Sequence, residues 1–387
     1  MIIAGGKGTR LSSITSITPK PLVKIHGKEF IYYLIDELTK YNFKKIIILT
    51  GYLHKQFDKF IKDNKKKFKV NIKTFYTDEK YETGKRIFLA KHLLDKNFLL
   101  LYGDVIVDIN LNDVKKNFLR SKKLLQVLAY NNKDNYSKSN LKLSKAKDVL
   151  KYQKNNYSNM THIDLGYMFI NKKVLDFLTK KNVNFEKNIF PKLIKKKQIK
   201  AYEIFTRYYS IDDFEKLNRA KNFLEKKKFV FLDRDGVVNI KPKKGEYVQN
   251  WKNFKWKSGV LRAFALLKKK NYSVVIVTNQ AGIARKKMTL KNFHEISLKM
   301  KMEIDTKGGQ LLAIYFCPHH WNDNCDCRKP KPGMLIQAQK DFNLKLSECI
   351  FFGDSKVDKE AALNAGCLFV DVKNDDNLYS KIKKYLK

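Results

Sequence analysis

The chain has 387 residues, 43% of them hydrophobic and 13% aromatic, which is enough apolar material for two or three packed cores. This composition excludes a disordered chain, a collagen-like chain and a small scaffold stapled by disulfides. Its 80 Lys and Arg against 38 Asp and Glu give a formal charge of +42, which first suggests nucleic acid or an anionic membrane surface as a partner.

The distribution of this charge argues against a polyanion partner. Residues 1–228 hold 50 basic and 22 acidic residues, and residues 229–387 hold 30 and 16, with no basic tail. We therefore expect anionic small-molecule substrates and no nucleic acid. Because no run of 18 apolar residues is present, we also expect no membrane insertion.

Cysteine usage and the first residues predict a cytoplasmic protein. The five cysteines are an odd number, and three of them lie within residues 317–327. That pattern is typical of a metal site in a reducing compartment rather than of a disulfide framework. The sequence begins MIIAGG, without the basic and long apolar regions of a signal peptide.

The first half of the chain alternates between short apolar runs and helical patterns. The predicted strands are 2–3, 45–50, 98–104, 124–130 and 166–170, and the predicted helices are 30–41, 88–97 and 211–228. This alternation predicts β/α units around a mostly parallel sheet. Because the last helix leads directly into a new apolar run, we predict two domains, 1–225 and 226–387.

The second half repeats the alternation. Its predicted strands are 229–232, 272–279, 311–317 and 349–354, and its predicted helices are 258–270, 289–306 and 333–342. Each strand ends in polar residues, and ligands of open α/β sheets bind at the carboxyl ends of the strands. The predicted fold class is therefore α/β, with two doubly wound domains.

A glycine-rich turn follows the first strand and predicts a nucleotide site. Glycines allow backbone amides to approach phosphate oxygens closely, and Arg10 and Lys20 supply charge against a triphosphate. Asp104 ends a buried strand, where a carboxylate can hold Mg²⁺. The turn has neither the G-x-G-x-x-G pattern of dinucleotide sites nor the GK[ST] of a P-loop.

The segments AGGKGTRL, PKPL and YGD resemble the sugar-1-phosphate nucleotidyltransferases, over about residues 1–222. These enzymes join a nucleoside triphosphate to a sugar 1-phosphate and release pyrophosphate. The resemblance implies a Rossmann-like sheet of the GT-A type, catalytic roles for Arg10 and Lys20, and Mg²⁺ on Asp104. The nucleotide-binding residues that it implies are Gly5, Gly6, Gly8, Thr9 and Gly84.

Two further positions follow from this resemblance. Residues 165–167 resemble the sugar-contacting N-x-G region of the family. The second metal-binding aspartate of the family aligns with Ser210, and Asp212 lies two residues further on. We therefore expect no second protein carboxylate to hold metal in this half.

The segment Asp233-Arg234-Asp235-Gly236 predicts phosphoryl transfer. One carboxylate can attack phosphorus, while the other protonates the leaving oxygen and then activates water. Asp354, with Asp358 four residues later, ends another strand and can complete a Mg²⁺ site. The predicted phosphate and substrate ligands also lie at strand ends or near them: Thr278, Asn279, Gln280, Arg328 and Lys329.

A cluster of thiols and imidazoles predicts structural zinc. Cys317, His319, Cys325 and Cys327 form a C-x-H-x₅-C-x-C pattern, which suits tetrahedral Zn²⁺. Four protein ligands leave no open position for catalysis. His320 is the neighbour that could replace His319.

The segments FLDRDGVVN, TNQAGIAR, CPHH…CDCRKPKPGM and GDSKVD resemble the haloacid dehalogenase-like phosphatases, over about residues 228–387. Because the zinc pattern is followed by RKPKPGM, the resemblance is to one subgroup of that family, which holds the heptose 1,7-bisphosphate 7-phosphatases and the histidinol phosphatases. The resemblance implies Asp233 as nucleophile, Asp235 as acid and base, and Mg²⁺ on Asp233, the Asp235 carbonyl and Asp354. Lys286 stands where the heptose enzymes usually have Gly.

Together the two resemblances imply a bifunctional enzyme. Its second half would remove the 7-phosphate of D-glycero-D-manno-heptose 1,7-bisphosphate, and its first half would transfer a nucleotidyl group, GMP from GTP, to heptose 1-phosphate. The sequence does not decide whether the protein forms a homo-oligomer. One alternative is a histidinol-phosphate-type phosphatase joined to a different sugar nucleotidyltransferase. Another is a basic nucleic-acid- or membrane-binding protein with degenerate enzyme domains.

Overall fold

The computed structural model describes residues 1–6, 8, 11–153, 159–243, 245–373 and 376–386. The chain divides into two compact units, Met1–Glu225 and Lys226–Lys387. Within the described ranges, no helix combines the length and the apolar character that a membrane crossing needs.

The first unit is built on one large mixed sheet. The strands of the unit are β1 (Ile2–Ile3), β2 (Lys24–Ile25), β3 (Lys28–Glu29), β4 (Lys45–Thr50), β5 (Asn71–Tyr76), β6 (Asn97–Tyr102), β7 (Val105–Val107), β8 (Leu125–Asn131), β9 (Leu141–Leu143), β10 (Val149–Tyr152), β11 (His162–Asn171), β12 (Ile199–Ile204) and β13 (Tyr208–Ser210). Outside the large sheet, β2 pairs with β3 and β7 pairs with β13. Its helices are α1 (Ser12–Thr15), α2 (Phe30–Lys40), α3 (His54–Asn64), α4 (Thr83–Leu89), α5 (Leu111–Ser121), α6 (Phe185–Lys195) and α7 (Phe214–Leu224).

The strand order of that sheet is β10-β9-β11-β6-β1-β4-β5, with β8 on β11 and β12 on β8. Most of its strands run in one direction, as predicted, but the sheet is mixed, because β11 runs antiparallel to both β6 and β8. A parallel return from β8 would need a crossover, usually a helix. The described part of that connection holds β9 and β10 instead.

The sheet is buried on both faces, and β4 shows how the sequence achieves this. Ile46 and Ile48 face one apolar core, whereas Ile47 and Leu49 face the other. A strand covered on both sides needs such a continuous apolar run. The predicted helix 88–97 is wrong as a continuous helix, since α4 ends at Leu89, a single 3₁₀ turn covers Lys91–Leu93, and β6 begins at Asn97.

The second unit has a five-stranded sheet in the order β16-β15-β14-β17-β18, with every strand parallel to its neighbours. Its strands are β14 (Phe229–Leu232), β15 (Ser273–Asn279), β16 (Ala313–Cys317), β17 (Ile350–Gly353) and β18 (Leu368–Asp371). Its helices are α8 (Val260–Lys269), α9 (Leu290–Thr306), α10 (Gly333–Phe342), α11 (Lys356–Ala365) and α12 (Leu378–Tyr385). The α/β class is confirmed, and the carboxyl ends of β14, β15 and β17 meet at one edge.

Candidate active sites

A cavity of about 440 Å³ opens at the carboxyl ends of β1 and β6 in the first unit. Among the predicted residues, Gly5, Gly6, Gly8, Lys20 and Asp104 line it. Thr9 and Arg10 lie outside the described residues. Gly84 is at the start of α4, where its amide donates to the carbonyl of Val183 at 2.9 Å, and the cavity is lined instead by its neighbours Glu82 and Thr83.

A buried lysine joins two carboxylates at this cavity. The Lys20 Nζ donates to Asp104 Oδ2 at 2.8 Å and to Asp212 Oδ1 at 2.6 Å. Burial alone would lower the pKa of Lys20, but the two carboxylates outweigh it and raise that pKa. Lys20 therefore stays cationic.

Asp212 is the site residue that the alignment on Ser210 missed. Strand β13 pairs with β7, with Ser210 opposite Val105, and the Ile211 amide donates to the Asp104 carbonyl at 3.1 Å. This short ladder brings Asp212 beside Asp104 from 108 positions away in the sequence. Ser210 itself donates to Asp212 Oδ2 at 3.1 Å. An aspartate just after a strand was the available signal.

A second acidic group approaches the cavity from β11 and α6. Tyr102, which lines the cavity, donates its hydroxyl to Glu186 Oε1. Burial raises the pKa of Asp164 to about 7, the Gly166 amide lowers it and the Glu186 carboxylate raises it further. The predicted sugar-contacting region 165–167 offers the cavity fewer side chains than expected, because Leu165 and Tyr167 pack in the apolar core.

In the second unit, Asp233 directly follows β14 and meets another buried lysine. The Lys329 Nζ donates to Asp233 Oδ1 at 2.7 Å and lies 2.6 Å from Asp358 Oδ1. Burial raises the pKa of Asp233 to about 7; Lys329 lowers it and Asp358 raises it. Asn279 fixes the backbone of Lys329 through two hydrogen bonds of 3.0 Å, one to its amide and one to its carbonyl.

Asp235 lies in a different environment from Asp233. Its carboxylate accepts hydrogen bonds from Arg234 at 3.0 Å, from Gln280 at 2.8 Å and from Asn239 at 3.0 Å. Burial raises the pKa of Asp235, but these three donors outweigh burial and lower it below its usual value. Gln280 also donates to Thr278 Oγ1 at 2.8 Å. Arg234 and Asn239 flank the predicted aspartates and were not singled out by sequence reasoning.

Three carboxylates of the second unit form a cluster that suits a hard cation. Asp233, Asp354 and Asp358 each offer an oxygen within 4.8 Å of the others. Asp354 Oδ1 is buried without a hydrogen-bond partner, and Asp354 Oδ2 accepts from Lys241 at 2.7 Å. Only glycine fits at position 236, because its φ is +102° and a Cβ would lie 2.0 Å from Asp354 Oδ2. Carboxylate oxygens are the ligands that Mg²⁺ prefers.

The four predicted zinc ligands come together at the end of β16. The Cys317 and Cys325 sulfurs are 3.6 Å apart, as are those of Cys325 and Cys327, and His319 Nδ1 lies 3.2 Å from the Cys327 sulfur. A tetrahedral ion with Zn–S bonds of 2.3 Å separates its sulfurs by about 3.8 Å. The cluster is therefore compatible with zinc. The ring of His320 stacks on Trp321 instead.

Arg328 and Arg285 lie around this cluster. Arg328 donates to the carbonyl of His319 at 3.4 Å, so this hydrogen bond ties it to the cysteine-rich loop rather than to Asp233. Arg285 stacks on Trp321 at 5.1 Å. Lys286, where the resemblance leads one to expect Gly, has a positive φ of 55°.

Comparison with known proteins finds similarity in both units. The nucleotidyl transferase family model matches residues 1–257, and the polynucleotide kinase 3 phosphatase model matches residues 228–379. The chain is 41% identical over 143 residues to D-glycero-beta-D-manno-heptose-1,7-bisphosphate 7-phosphatase of Yersinia pestis, covering 35% of this chain and 74% of that protein. The phosphatase of the same name from Vibrio cholerae is 39% identical over 144 residues, covering 35% and 76%.

A solved structure resembles the first unit's fold. HddC from Yersinia pseudotuberculosis, complexed with GMP-PN, superimposes with a TM-score of 0.50 at 25% identity. The match covers 58% of this chain and 98% of HddC.

Proposed function

Because the chain belongs to the nucleotidyl transferase family and to the D-glycero-β-D-manno-heptose-1,7-bisphosphate 7-phosphatases, we propose that it makes a nucleotide-activated heptose in two consecutive steps. The second unit removes the 7-phosphate of heptose 1,7-bisphosphate. The first unit then transfers a nucleotidyl group to the remaining heptose 1-phosphate and releases pyrophosphate. The observation that carries this proposal is that each unit has its own buried lysine between two carboxylates.

In the phosphatase step, Asp233 attacks the phosphorus and the bond to the sugar oxygen breaks. Asp235 gives its proton to that oxygen, then takes a proton from the water that hydrolyses the aspartyl phosphate. Without substrate, Arg234, Asn239 and Gln280 keep Asp235 ionised. The negative charge of a bound phosphate would raise the pKa of Asp235, so substrate binding favours the protonated acid.

The remaining predicted ligands of the phosphatase orient the substrate. Thr278 and Gln280 are hydrogen-bonded to each other beside Asp235, and Lys329 would neutralise the transferring phosphoryl group. Asn279 acts through the backbone of Lys329. Arg328 would contact the part of the sugar phosphate that extends toward the cysteine-rich loop.

In the transferase step, an oxygen of heptose 1-phosphate attacks the α-phosphorus and pyrophosphate leaves. Gly5, Gly6, Gly8 and Thr9 would bind the nucleotide, while Arg10 and Lys20 offset the charge of the triphosphate and of the departing pyrophosphate. GTP as donor is supported by the complex of HddC with GMP-PN.

Both units have acidic residues that fit Mg²⁺, which neutralises phosphate charge when bound. Asp104 and Asp212 would hold it in the transferase. Asp233, Asp354 and the Asp235 carbonyl would hold it in the phosphatase, with Asp358 beside them. Cys317, His319, Cys325 and Cys327 would hold zinc with a structural role, since four protein ligands leave no position for water.

The test is a product analysis. The protein is incubated with Mg²⁺, heptose 1,7-bisphosphate and each of the four nucleoside triphosphates in turn, and products are identified by mass. We expect inorganic phosphate in every reaction, and pyrophosphate with GDP-heptose only with GTP. A parallel incubation supplies histidinol phosphate; its hydrolysis, with heptose bisphosphate left intact, would replace this proposal by its alternative.

A further inference from the structure

We propose that Arg86 is a positioning residue of the transferase unit, which holds two walls of the nucleotide cavity in place from behind. The inference rests on the proposed function of that cavity. Arg86 lies on α4, is 4% exposed and lines the same cavity as the glycine loop. It is absent from the motifs that predicted the site.

The Arg86 guanidinium holds the loop that forms one wall. Its Nε donates to the Tyr81 carbonyl at 2.7 Å, and its Nη2 donates to the Glu79 carbonyl at 3.1 Å. Both residues line the cavity. The Nη1 donates to Thr77 Oγ1 at 3.2 Å and to the Thr50 carbonyl at 3.4 Å, where Thr50 ends β4 and Thr77 follows β5.

The same guanidinium lies directly against the backbone of Gly5, which follows β1. A Cβ at Gly5 would be 1.7 Å from the Arg86 Nη1, and a Cβ at Gly51 would be 2.4 Å from it. The guanidinium can therefore lie this close only because positions 5 and 51 are both glycine. One side chain thus contacts the loop after β1, the ends of β4 and β5, and the segment that precedes α4.

Two consequences for the nucleotide follow from this arrangement. Residues 79–82 and Gly5 are held in their positions before binding, so the nucleotide does not have to order them. The guanidinium also places a positive charge behind the loop proposed to hold the triphosphate, where the low dielectric strengthens attraction. Lysine could restore the charge but not the planar set of donors.

The experiment measures GTP binding by calorimetry and the steady-state rates of both activities in the full-length protein. Arg86→Ala should weaken GTP binding and raise its KM by about 10–100-fold, the scale of misplaced binding groups. The KM for heptose 1-phosphate and the phosphatase rate should stay within about twofold. Added guanidinium ion should recover part of the GTP affinity, and Arg86→Lys should fall between Arg86→Ala and the parental protein.

His162→Ala is the matched control. His162 is also buried in the first unit and bonded to Glu203 at 2.8 Å, but it is not among the described residues that line the cavity. This variant should lose stability while keeping its affinity for GTP. If Arg86→Ala is too unstable to purify, Arg86→Lys provides the same comparison.

Unchanged GTP affinity in both Arg86 variants, or equal losses for GTP and heptose 1-phosphate, would overturn the inference. A parental protein that binds GTP but transfers no nucleotide would instead overturn the proposed function, and the role of Arg86 in binding would still be measured. The two failures are therefore distinguishable.

Discussion

Each unit has a lysine between two carboxylates, but the two lysines differ in how far their side chains are exposed. Lys20 lies between Asp104 and Asp212, and its side chain is 11% exposed at the edge of the cavity. Lys329 lies between Asp233 and Asp358 and is 3% exposed. A site for a nucleoside triphosphate needs open volume, whereas a site for one phosphoryl group can be tightly enclosed.

The contacts that hold the backbones of the two lysines also differ. The Lys329 backbone is held at both its amide and its carbonyl by Asn279, two residues after the last ligand of the cysteine cluster. Lys20 begins a short 3₁₀ turn with Pro21 next to it. Distant residues therefore hold the phosphatase lysine by its backbone as well as by its side chain, whereas the contacts of Lys20 with distant residues are made by its side chain.

The largest effect is expected for Asp233→Asn, because the amide cannot form an aspartyl phosphate. Phosphate release from heptose 1,7-bisphosphate should fall by about 10³ or more, while pyrophosphate release from GTP and heptose 1-phosphate stays at the parental rate. Asp305→Asn, on the exposed face of α9, is the matched control. Loss of both activities together would refute two independent centres.

Lys20→Met should produce the next largest effect, in the transferase alone. Removing a charged donor from a developing negative charge costs about 10²–10³ in rate, and Asp104 and Asp212 would also lose their shared cation. Pyrophosphate release measures the effect, and Lys24→Met on β2 is the control, since Lys24 is exposed.

Asp212→Asn should lower the same rate of pyrophosphate release at least tenfold. A parental rate for that variant would remove Asp212 from the site.

Cys325→Ser tests whether the cysteine cluster supports the phosphatase site. We expect about one zinc per parental chain, less in the variant, a lower melting temperature of the second unit and a higher KM for the bisphosphate, because structural zinc contributes to folding free energy. Cys349→Ala removes a cysteine thiol outside the cluster, so its zinc content should match the parental protein. A metal-free protein with unchanged melting and KM would contradict the structural role.

The smallest effect concerns the pH dependence of stability at Asp164. Burial raises the pKa of Asp164 from 3.8 to about 7, so the folded protein binds this proton more tightly than the unfolded chain. The resulting stabilisation is present below about pH 4 and is lost as the pH rises toward 7. Asp164→Asn cannot ionise and keeps an oxygen for the Gly166 amide, so it should be stabilised over the parental protein at pH 8 more than at pH 5.

Hydrogen exchange of the β11 amides measures this difference, with both proteins compared at each pH. Slower exchange in Asp164→Asn at pH 8, and a smaller gain at pH 5, is the expected result. An equal change at both pH values would mean that the ionisation of Asp164 does not affect the fold.

The site predictions for the second unit depend on local sequence more than those for the first unit, for a physical reason. Asp233 and Asp354 directly follow parallel strands and Thr278 lies near the end of a third, and parallel strands place their carboxyl ends at one edge. Their short apolar runs also fixed strand positions closely, as with 272–279 against Ser273–Asn279. These features are local, so they can be detected in a short stretch of sequence.

The missed features of the transferase depend on pairing between distant segments. Asp212 reaches Asp104 only through the ladder of β13 on β7. Arg86 reaches Gly5 only because β1, β4 and β5 are neighbours in the sheet. The antiparallel direction of β11 likewise follows from its connection, not from its composition, so the pattern of apolar residues could not predict it.

A complementation assay tests the central claim, that two separate centres carry out consecutive steps. Full-length Asp233→Asn and Lys20→Met proteins are supplied with Mg²⁺, GTP and heptose 1,7-bisphosphate, first separately and then as an equal mixture, and GDP-heptose is quantified by mass spectrometry. We expect neither protein alone to form it at more than about 1% of the parental rate, and the mixture to restore at least a quarter of that rate, because heptose 1-phosphate can diffuse from one chain to the other. A mixture that forms no more GDP-heptose than the separate proteins, although each retains its other activity, would contradict the account.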